Sequence, residues 1–185
     1  SASAYGLVGD SVDLLADVSY RDAGNTDLGD GTTLSHSAYD SLSGLFKFTW
    51  SPNTENNIAV TAQTFDEDGA VPSNPQAAST PDDLVDRETE QRNLSLRYTY
   101  EPANAPLLRP SMVLYRNETD ISEQRLVDGR QDDTEVTTWG IDLRNRFEWG
   151  SGATGHALTV GLDYYEDEAE AERDGAPRPS FPSAE

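Results

Sequence analysis

The chain has 185 residues, with 34 acidic against 13 basic side chains, a formal net charge of −21 and no cysteine. So acidic a chain repels the phosphates of nucleic acid, and without cysteine it has no disulfide, no thiol nucleophile and no thiolate metal ligand. No run approaches the roughly 18 consecutive apolar residues of a membrane-spanning helix. Composition therefore argues against nucleic-acid binding and excludes a helical membrane protein.

Most of the chain consists of segments in which apolar and polar residues alternate, as they do in β-strands. Eight strands are predicted, at residues 1–8, 12–22, 40–50, 57–66, 89–100, 107–121, 135–149 and 156–167. The links between them are short and long in turn, and the long links are predicted at 22–39, 66–88, 122–134 and beyond 167. Strands joined by short turns on one side and longer loops on the other are typical of transmembrane β-barrels.

One face of these strands is apolar. Leu42, Phe46 and Trp50 alternate with the polar positions of residues 40–50, which include Lys47. The same apolar face is predicted to continue through Ile58, Val60, Ala62, Leu94, Leu96, Tyr98, Trp139, Ile141, Leu143, Phe147, Leu158, Val160, Leu162 and Tyr164. We expect this face to contact lipid or a core.

The opposite face is charged, which a dry sandwich core does not accommodate. Arg97, Arg144, Arg146 and Glu148 are therefore the predicted lumen-facing residues, in a water-filled interior or against a polar plug. Two roles remain open for them: contact with the plug or the transported substrate, or cross-strand ion pairs that stabilise the wall. The alternative to a barrel is a soluble antiparallel sheet whose charged face lies in solvent.

Aromatic residues favour the barrel, because Trp and Tyr prefer the two membrane interfaces and form girdles there. The group beside the short links comprises Trp50, Tyr98, Tyr100, Phe147 and Trp149. The group near the long links comprises Tyr20, Phe65, Trp139, Tyr164 and Tyr165. The predicted fold class is an all-β antiparallel transmembrane barrel.

The barrel is expected to be partial. The first strand begins at Ser1, and residues 176–183 are rich in proline, which lacks the N–H that a closing strand needs. Residues 1–185 are therefore expected to be an internal part of the barrel domain of a larger protein, with an unpaired edge at each end.

Several strands resemble those of one family. Residues 40–52, DSLSGLFKFTWSP, are similar to a family strand that reads roughly S-G-L-x-K-x-x-W-x-P. Further similar segments are RNLSLRY at 92–98, VLYRN at 113–117, TWGIDLRNRF at 138–147 and TVGLDYYED at 159–167. The chain is identified by these segments as a member of the TonB-dependent outer-membrane receptors, most similar to the haem and haemoglobin receptors.

The resemblance implies a barrel of about 22 strands, closed by a plug domain, in the bacterial outer membrane. It implies uptake of an iron-containing ligand, haem or haemoglobin, with energy supplied through TonB. The plug, the TonB box and the loop that carries the family's haem-ligand histidine are expected to lie outside these 185 residues. Two alternatives stay open: a receptor for a ferric siderophore or another nutrient, and a structural or adhesive barrel without transport.

Candidate sites outside the strands are few. His36, in the first long link with Tyr39 nearby, is a weak candidate for a haem-iron ligand, although a lone loop histidine is usually only solvated. Acidic clusters at 66–68, 82–88, 132–133 and 167–172 suit either a solvated surface, which we favour, or divalent cations that bridge to lipopolysaccharide. No metal site is assigned. Because no nucleophile–base pair or phosphate loop is recognisable, an enzyme is not predicted.

Overall fold

The structure, a computed structural model, describes residues 1–73, 84–151, 154–174 and 176–177. Within these ranges the chain consists of β-strands joined by turns. The strands are β1 (Ala2–Val8), β2 (Val12–Ala23), β3 (Thr26–Asp27), β4 (Thr33–Leu34), β5 (Tyr39–Asn53), β6 (Asn56–Pro72), β7 (Leu84–Tyr100), β8 (Arg109–Arg125), β9 (Gln131–Ser151), β10 (Thr154–Arg173) and β11 (Ala176–Pro177).

The strands form one continuous antiparallel sheet. Its order is β1-β2-β5-β6-β7-β8-β9-β10-β11, and β3 and β4 make a separate small hairpin in the link between β2 and β5. Every long strand pairs with the next long strand along the chain, as in an up-and-down barrel wall. The prediction of an all-β antiparallel fold with eight long strands is confirmed.

Three of the predicted long links are wrong in their bounds. Because β6 continues to Pro72 and β7 begins at Leu84, residues 66–72 and 84–88 of the predicted link 66–88 lie in strands. Because β8 ends at Arg125 and β9 begins at Gln131, the link between them is only 126–130, and β10 continues to Arg173 instead of ending at 167. The acidic groups at 66–68, 132–133 and 167–172 therefore lie in strands. Opposite charges on neighbouring strands accompany these extensions, such as Arg87 and Glu123, whose Nη2 and Oε1 atoms are 2.5 Å apart.

The short links are close to those predicted. The turn between β1 and β2 comprises 9–11, and that between β5 and β6 comprises 54–55. The link from β7 to β8 is longer, at 101–108, because β8 begins at Arg109. Part of the predicted link 66–88 and the Pro-rich segment beyond 177 lie outside the described residues, and so do Asp82 and Asp83.

The described sheet buries almost nothing. Ala59, Leu84 and Val85 are its buried hydrophobic residues, whereas Phe46 and Trp139 are each 47% exposed and Leu162 is 69% exposed. Since burial of apolar surface is the main driving force of folding, a single layer of this kind needs an apolar environment for its exposed side chains.

In the described ranges, no helix has the length and apolarity needed to cross a membrane.

Candidate functional site

The register of the strands sorts the side chains into two faces of opposite character. Trp50, Ile58, Tyr98, Met112, Leu143 and Leu162 pair one with the next from β5 to β10, so they form one row across the sheet. Successive side chains of a strand point to opposite faces, and every second residue from this row belongs to the same face. We call it the apolar face, and the other the charged face.

The apolar residues on the apolar face form a belt that crosses the strands obliquely. In β5 the belt extends from Trp50 to Leu42, eight positions beyond the row, and is followed by Asp40. In β10 it ends at Tyr164, only two positions beyond Leu162, and is followed by Glu166. The lower edge of the belt descends in the same direction. In β5 it lies in the row itself, at Trp50, whereas in β9 it lies at Trp149, six positions below the row residue Leu143.

The slant of the belt gives the inclination of the strands. From β5 to β10 the upper edge falls by six residue positions, each about 3.3 Å along the strand. Over the same interval there are five steps from strand to strand, each about 4.8 Å. The ratio of these two lengths means that the strands are inclined by about 40° to the normal of the belt. Strands of outer-membrane barrels are tilted by roughly 35–45°. The nine residues from Leu42 to Trp50 also match the roughly 9–11 residues of a tilted transmembrane strand.

Carboxylates dominate the apolar face above the belt. They include Asp22, Asp40, Asp66, Asp68, Glu88, Glu90, Glu118, Asp120, Asp133, Glu135, Glu166, Glu168, Glu170 and Glu172. Oxygen atoms of Glu118, Asp120 and Glu135 lie within 4.8 Å of one another. The sequence did not indicate this trio, because its members come from two strands and meet only through the register of β8 and β9.

The charged face carries the four predicted lumen-facing residues. Arg97, Arg144, Arg146 and Glu148 all have the register of this face. Arg144 donates from Nη2 to Oδ2 of Asp142 at 2.6 Å. Glu148 accepts from two arginines, with 2.7 Å to Nη2 of Arg146 and 2.7 Å to Nη1 of Arg109. Three of the four residues thus form ion pairs within the wall.

Arg97 differs from them. With Lys47 it lines a depression of about 900 Å³ on the charged face, whose other polar lining includes the carboxyl group of Asp13 and the side chains of Thr49, Thr61 and Asn57. Neither cation forms an ion pair with an acidic side chain of the described residues. Lys47 was not among the predicted site residues, although it is the only lysine of the chain and its position in the alternation had placed it on this face.

The charged face also contains one close packing arrangement between β8 and β9. The ring of Tyr115 lies over Gly140, so that a methyl group added to Gly140 would overlap the ring and its hydroxyl. On the other side, Gly140 is opposite Tyr165 of β10. The glycine therefore leaves room for the close approach of an aromatic side chain to the backbone.

His36 lies in the link between β2 and β5, just after β4, and is exposed. Its φ of 60° is in the left-handed region, where histidine is more common than most residues. Nearby, Oδ1 of Asn25 accepts hydrogen bonds from the backbone N–H groups of Ser37 and Ala38 at 3.0 and 3.1 Å. These bonds order the segment that carries the imidazole.

The aromatic residues only partly follow the predicted girdles. Trp139 and Tyr164 lie together at the upper edge of the belt, with ring centroids 5.5 Å apart, and Trp149 at the lower edge stacks on His156 at 5.7 Å. Phe65 and Tyr165, however, have the register of the charged face. Their assignment to the girdle was wrong, because proximity to a link does not determine the face to which a side chain points.

One ion pair ties the upper ends of β9 and β10 together. Asp132 accepts from Nε of Arg173 at 2.5 Å and from Nη2 at 3.2 Å, and Nη2 of Arg130 lies 3.0 Å from the same carboxylate. The hydrogen bonds from Arg173, followed by the positive charge of Arg130, lower the pKa of Asp132. Since the folded form holds the carboxylate ionised, this contribution to stability is present above the ordinary aspartate pKa and is lost as the pH falls through the lowered pKa.

We therefore expect the ends of β9 and β10 to fray when the pH is lowered below about 4, the ordinary pKa of aspartate. Amide hydrogen exchange at Asp132 and Arg173, measured against pH in the full-length protein, reports this opening. Asp132→Asn should open the same end at neutral pH, at a cost of up to about 1 kcal/mol, and remove the pH dependence. An unchanged pH profile in this variant would show that another group controls the opening.

Comparisons with known proteins agree with this geometry. No family model matches the chain. It is 28% identical over 187 residues to the hemin receptor of Yersinia pestis, an alignment that covers 99% of this chain and 27% of the receptor. The chain spans about a quarter of the length of the curated relatives it matches.

Two solved structures share the fold. A double mutant of the Serratia marcescens hemophore receptor HasR, in complex with its hemophore HasA and heme, matches with a TM-score of 0.79 and 18% identity, over 93% of this chain and 25% of HasR. The copper transporter OprC matches with a TM-score of 0.74 and 16% identity, over 88% of this chain and 25% of the transporter. The resemblance predicted from the sequence is thereby confirmed: the chain is similar along nearly its whole length to part of a haem receptor, and its sheet has the fold of the TonB-dependent receptor barrels.

Proposed function

We propose that the chain is part of the barrel wall of a TonB-dependent outer-membrane receptor that takes up haem, free or from haemoglobin. The observation that carries the membrane wall in this proposal is the oblique apolar belt opposite a charged face. A belt one membrane thick, crossed by strands inclined at about 40°, fits a wall with lipid on one side and a polar interior on the other. A soluble sheet has no reason to match that thickness and inclination together.

In this proposal residues 1–185 all belong to the barrel domain, and the charged face points into the lumen. Glu148 joins β9 to β8 through its ion pair with Arg109. Arg146 and Arg144 pair with Glu148 and Asp142 of their own strand. Arg97 and Lys47, which have no acidic partner among the described residues, are available to the plug domain or to a ligand that passes through the lumen. Lumen-facing residues of this kind influence selectivity in barrels.

Support for haem comes from the sequence relatives, since the copper transporter shows that the same fold accompanies another cargo. His36 remains a candidate haem-iron ligand. It is exposed and lies in the ordered link between β2 and β5, at the same end of the strands as the carboxylates above the belt. The relatives are receptors or utilisation proteins, which agrees with the prediction that the chain is not an enzyme.

Growth of the source bacterium with haem as the only iron source tests the proposal. We expect deletion of the full-length gene to abolish this growth, deletion of tonB to have the same effect, and the restored gene to rescue it. A ferric siderophore serves as the control, because its use should not depend on this gene. The proposal for haem is wrong if haem use persists in the deletion strain while growth on the siderophore is lost.

A further inference from the structure

A groove of about 580 Å³ runs over the apolar face, across the strands from β2 to β8. Its floor and lower walls are lined by short or apolar side chains: Ala16, Val18, Gly44, Ala62, Thr64 and Leu94. Phe46, which lies between Ala16 and Ala62 in the same row, also lines the groove and is 47% exposed. Beside it the neighbouring row has the short side chains of Gly44 and Thr64, which leave the belt lower there.

The groove ends at the upper boundary of the belt. It follows the rows of paired residues, whereas the edge of the belt descends obliquely from β5 to β10. At β2 the groove therefore lies well inside the belt, since Ala16 and Val18 are below Tyr20. At β7 and β8 it reaches the boundary, because the next residues on this face are Glu90 and Glu118. One end is apolar and the other is at the level where lipid headgroups begin.

Two arginines line that end. Arg92 and Arg116 are the only arginine or lysine side chains with the register of the apolar face in the described strands. Their side chains are 57% and 61% exposed. Arg92 is held by Glu90, by Glu118 at 2.9 Å and by Asp120 at 3.5 Å.

Arg116 has donors to spare. Its contact with an acidic group is between Nη2 and Glu118 at 2.9 Å, and a guanidinium offers five N–H groups. Among the described residues Nε and Nη1 have no acidic partner. The carboxylates hold the two guanidiniums at the boundary and leave donors for an anionic group above the groove. Planar guanidinium groups suit phosphate in particular.

We propose that this groove binds a phosphorylated lipid of the outer leaflet, with an acyl chain beside Phe46, along Ala62, Gly44 and Val18, and a headgroup phosphate on Arg92 and Arg116. The inference rests on the proposed function, because only a wall embedded in the outer membrane presents this face to lipid. The groove supplies apolar contact for the chain, and the guanidiniums supply charge-assisted hydrogen bonds to the phosphate.

The test uses the full-length protein in nanodiscs of phosphatidylcholine that contain a minor fraction of bisphosphorylated lipid A. Lipid A retained by each barrel after transfer into mild detergent is counted by native mass spectrometry. We expect Arg92→Gln/Arg116→Gln to weaken retention about tenfold, the effect of about 1.4 kcal/mol of lost contact. Ala62→Phe, which fills the groove, should have a similar effect. Dephosphorylated lipid A should be retained about tenfold less well than bisphosphorylated lipid A.

Arg21→Gln/Arg125→Gln is the matched control, because it removes the same charge from the charged face. It should retain lipid A as the unchanged protein does. Equal retention by the Arg92→Gln/Arg116→Gln variant, or retention of lipid A irrespective of its phosphates, would overturn the inference. Insertion of each protein into the nanodiscs is scored separately by heat-modifiable migration, so that failure to form a barrel counts against the proposed function and not against the lipid site.

Discussion

Replacement of Leu143 by arginine is expected to destabilise the protein by about 2–4 kcal/mol in a lipid bilayer, the cost of a cation on the lipid face near the midplane of a barrel. Leu143 lies in β9 between Trp139 and Trp149, the two edges of the belt in that strand. It is 40% exposed in the sheet, so its side chain has no protein core to shield the substituted charge.

The measurement is the free energy of unfolding in urea, for full-length protein folded into vesicles. Asn117→Arg is the control, because Asn117 is on the charged face, opposite Asn93 and Thr138, where an added arginine meets water and polar groups. We expect this control to differ from the unchanged protein by no more than about 0.5 kcal/mol. If Leu143→Arg is equally harmless, the apolar face does not contact lipid and the soluble-sheet alternative is preferred.

Substitution of Gly140 by leucine should destabilise the barrel by about 1–3 kcal/mol, the usual cost of overpacking. The ring of Tyr115 occupies the space that any side chain at position 140 needs, and a Cβ atom there would overlap atoms of the ring itself. The overlapping atoms are Cζ, Oη and Cε1 at the end of Tyr115, so the clash is relieved only if the ring turns away from Gly140.

A second substitution distinguishes this side-chain clash from an effect on the backbone of β9 at position 140. Tyr115→Ala/Gly140→Leu removes the ring and should recover most of the stability lost in Gly140→Leu, as measured by urea unfolding in the same vesicles. Without recovery in the double variant, the effect would come from the backbone at position 140 and not from the contact with Tyr115.

The alternating pattern predicted much of the fold, because each strand separates an apolar face from a polar face. Strand β5 shows this contrast over the whole width of the belt, with Phe46 and Lys47 adjacent. Above the belt the contrast disappears. In β10 the acidic residues Glu166, Glu168, Glu170 and Glu172 continue the apolar face, and an acidic run gives no hydrophobic signal, so the strand was predicted to end too early.

The candidate site was accessible from the sequence to the extent that it depends on two-residue periodicity. Arg97, Arg144, Arg146 and Glu148 were placed on one face by this rule, and the register has them there. The periodicity could not show which cations are paired within the wall. It also gave no indication of the oblique edge of the belt, and hence of Arg92 and Arg116, since that edge is defined only when six strands are aligned.

The central claim is that the wall crosses a bilayer with inclined strands, and spin labels test it most directly. Single cysteines would be placed at alternate positions of the apolar face in β5 and β10 of the full-length protein, labelled, and reconstituted in lipid. The ratio of collision with oxygen to collision with a nickel chelate increases with depth in the bilayer. We expect this ratio to peak near Phe46 in β5 and near Val160 in β10, two positions that the register separates by six residues. Peaks in the same row of the sheet, or no peak in either strand, would contradict the account.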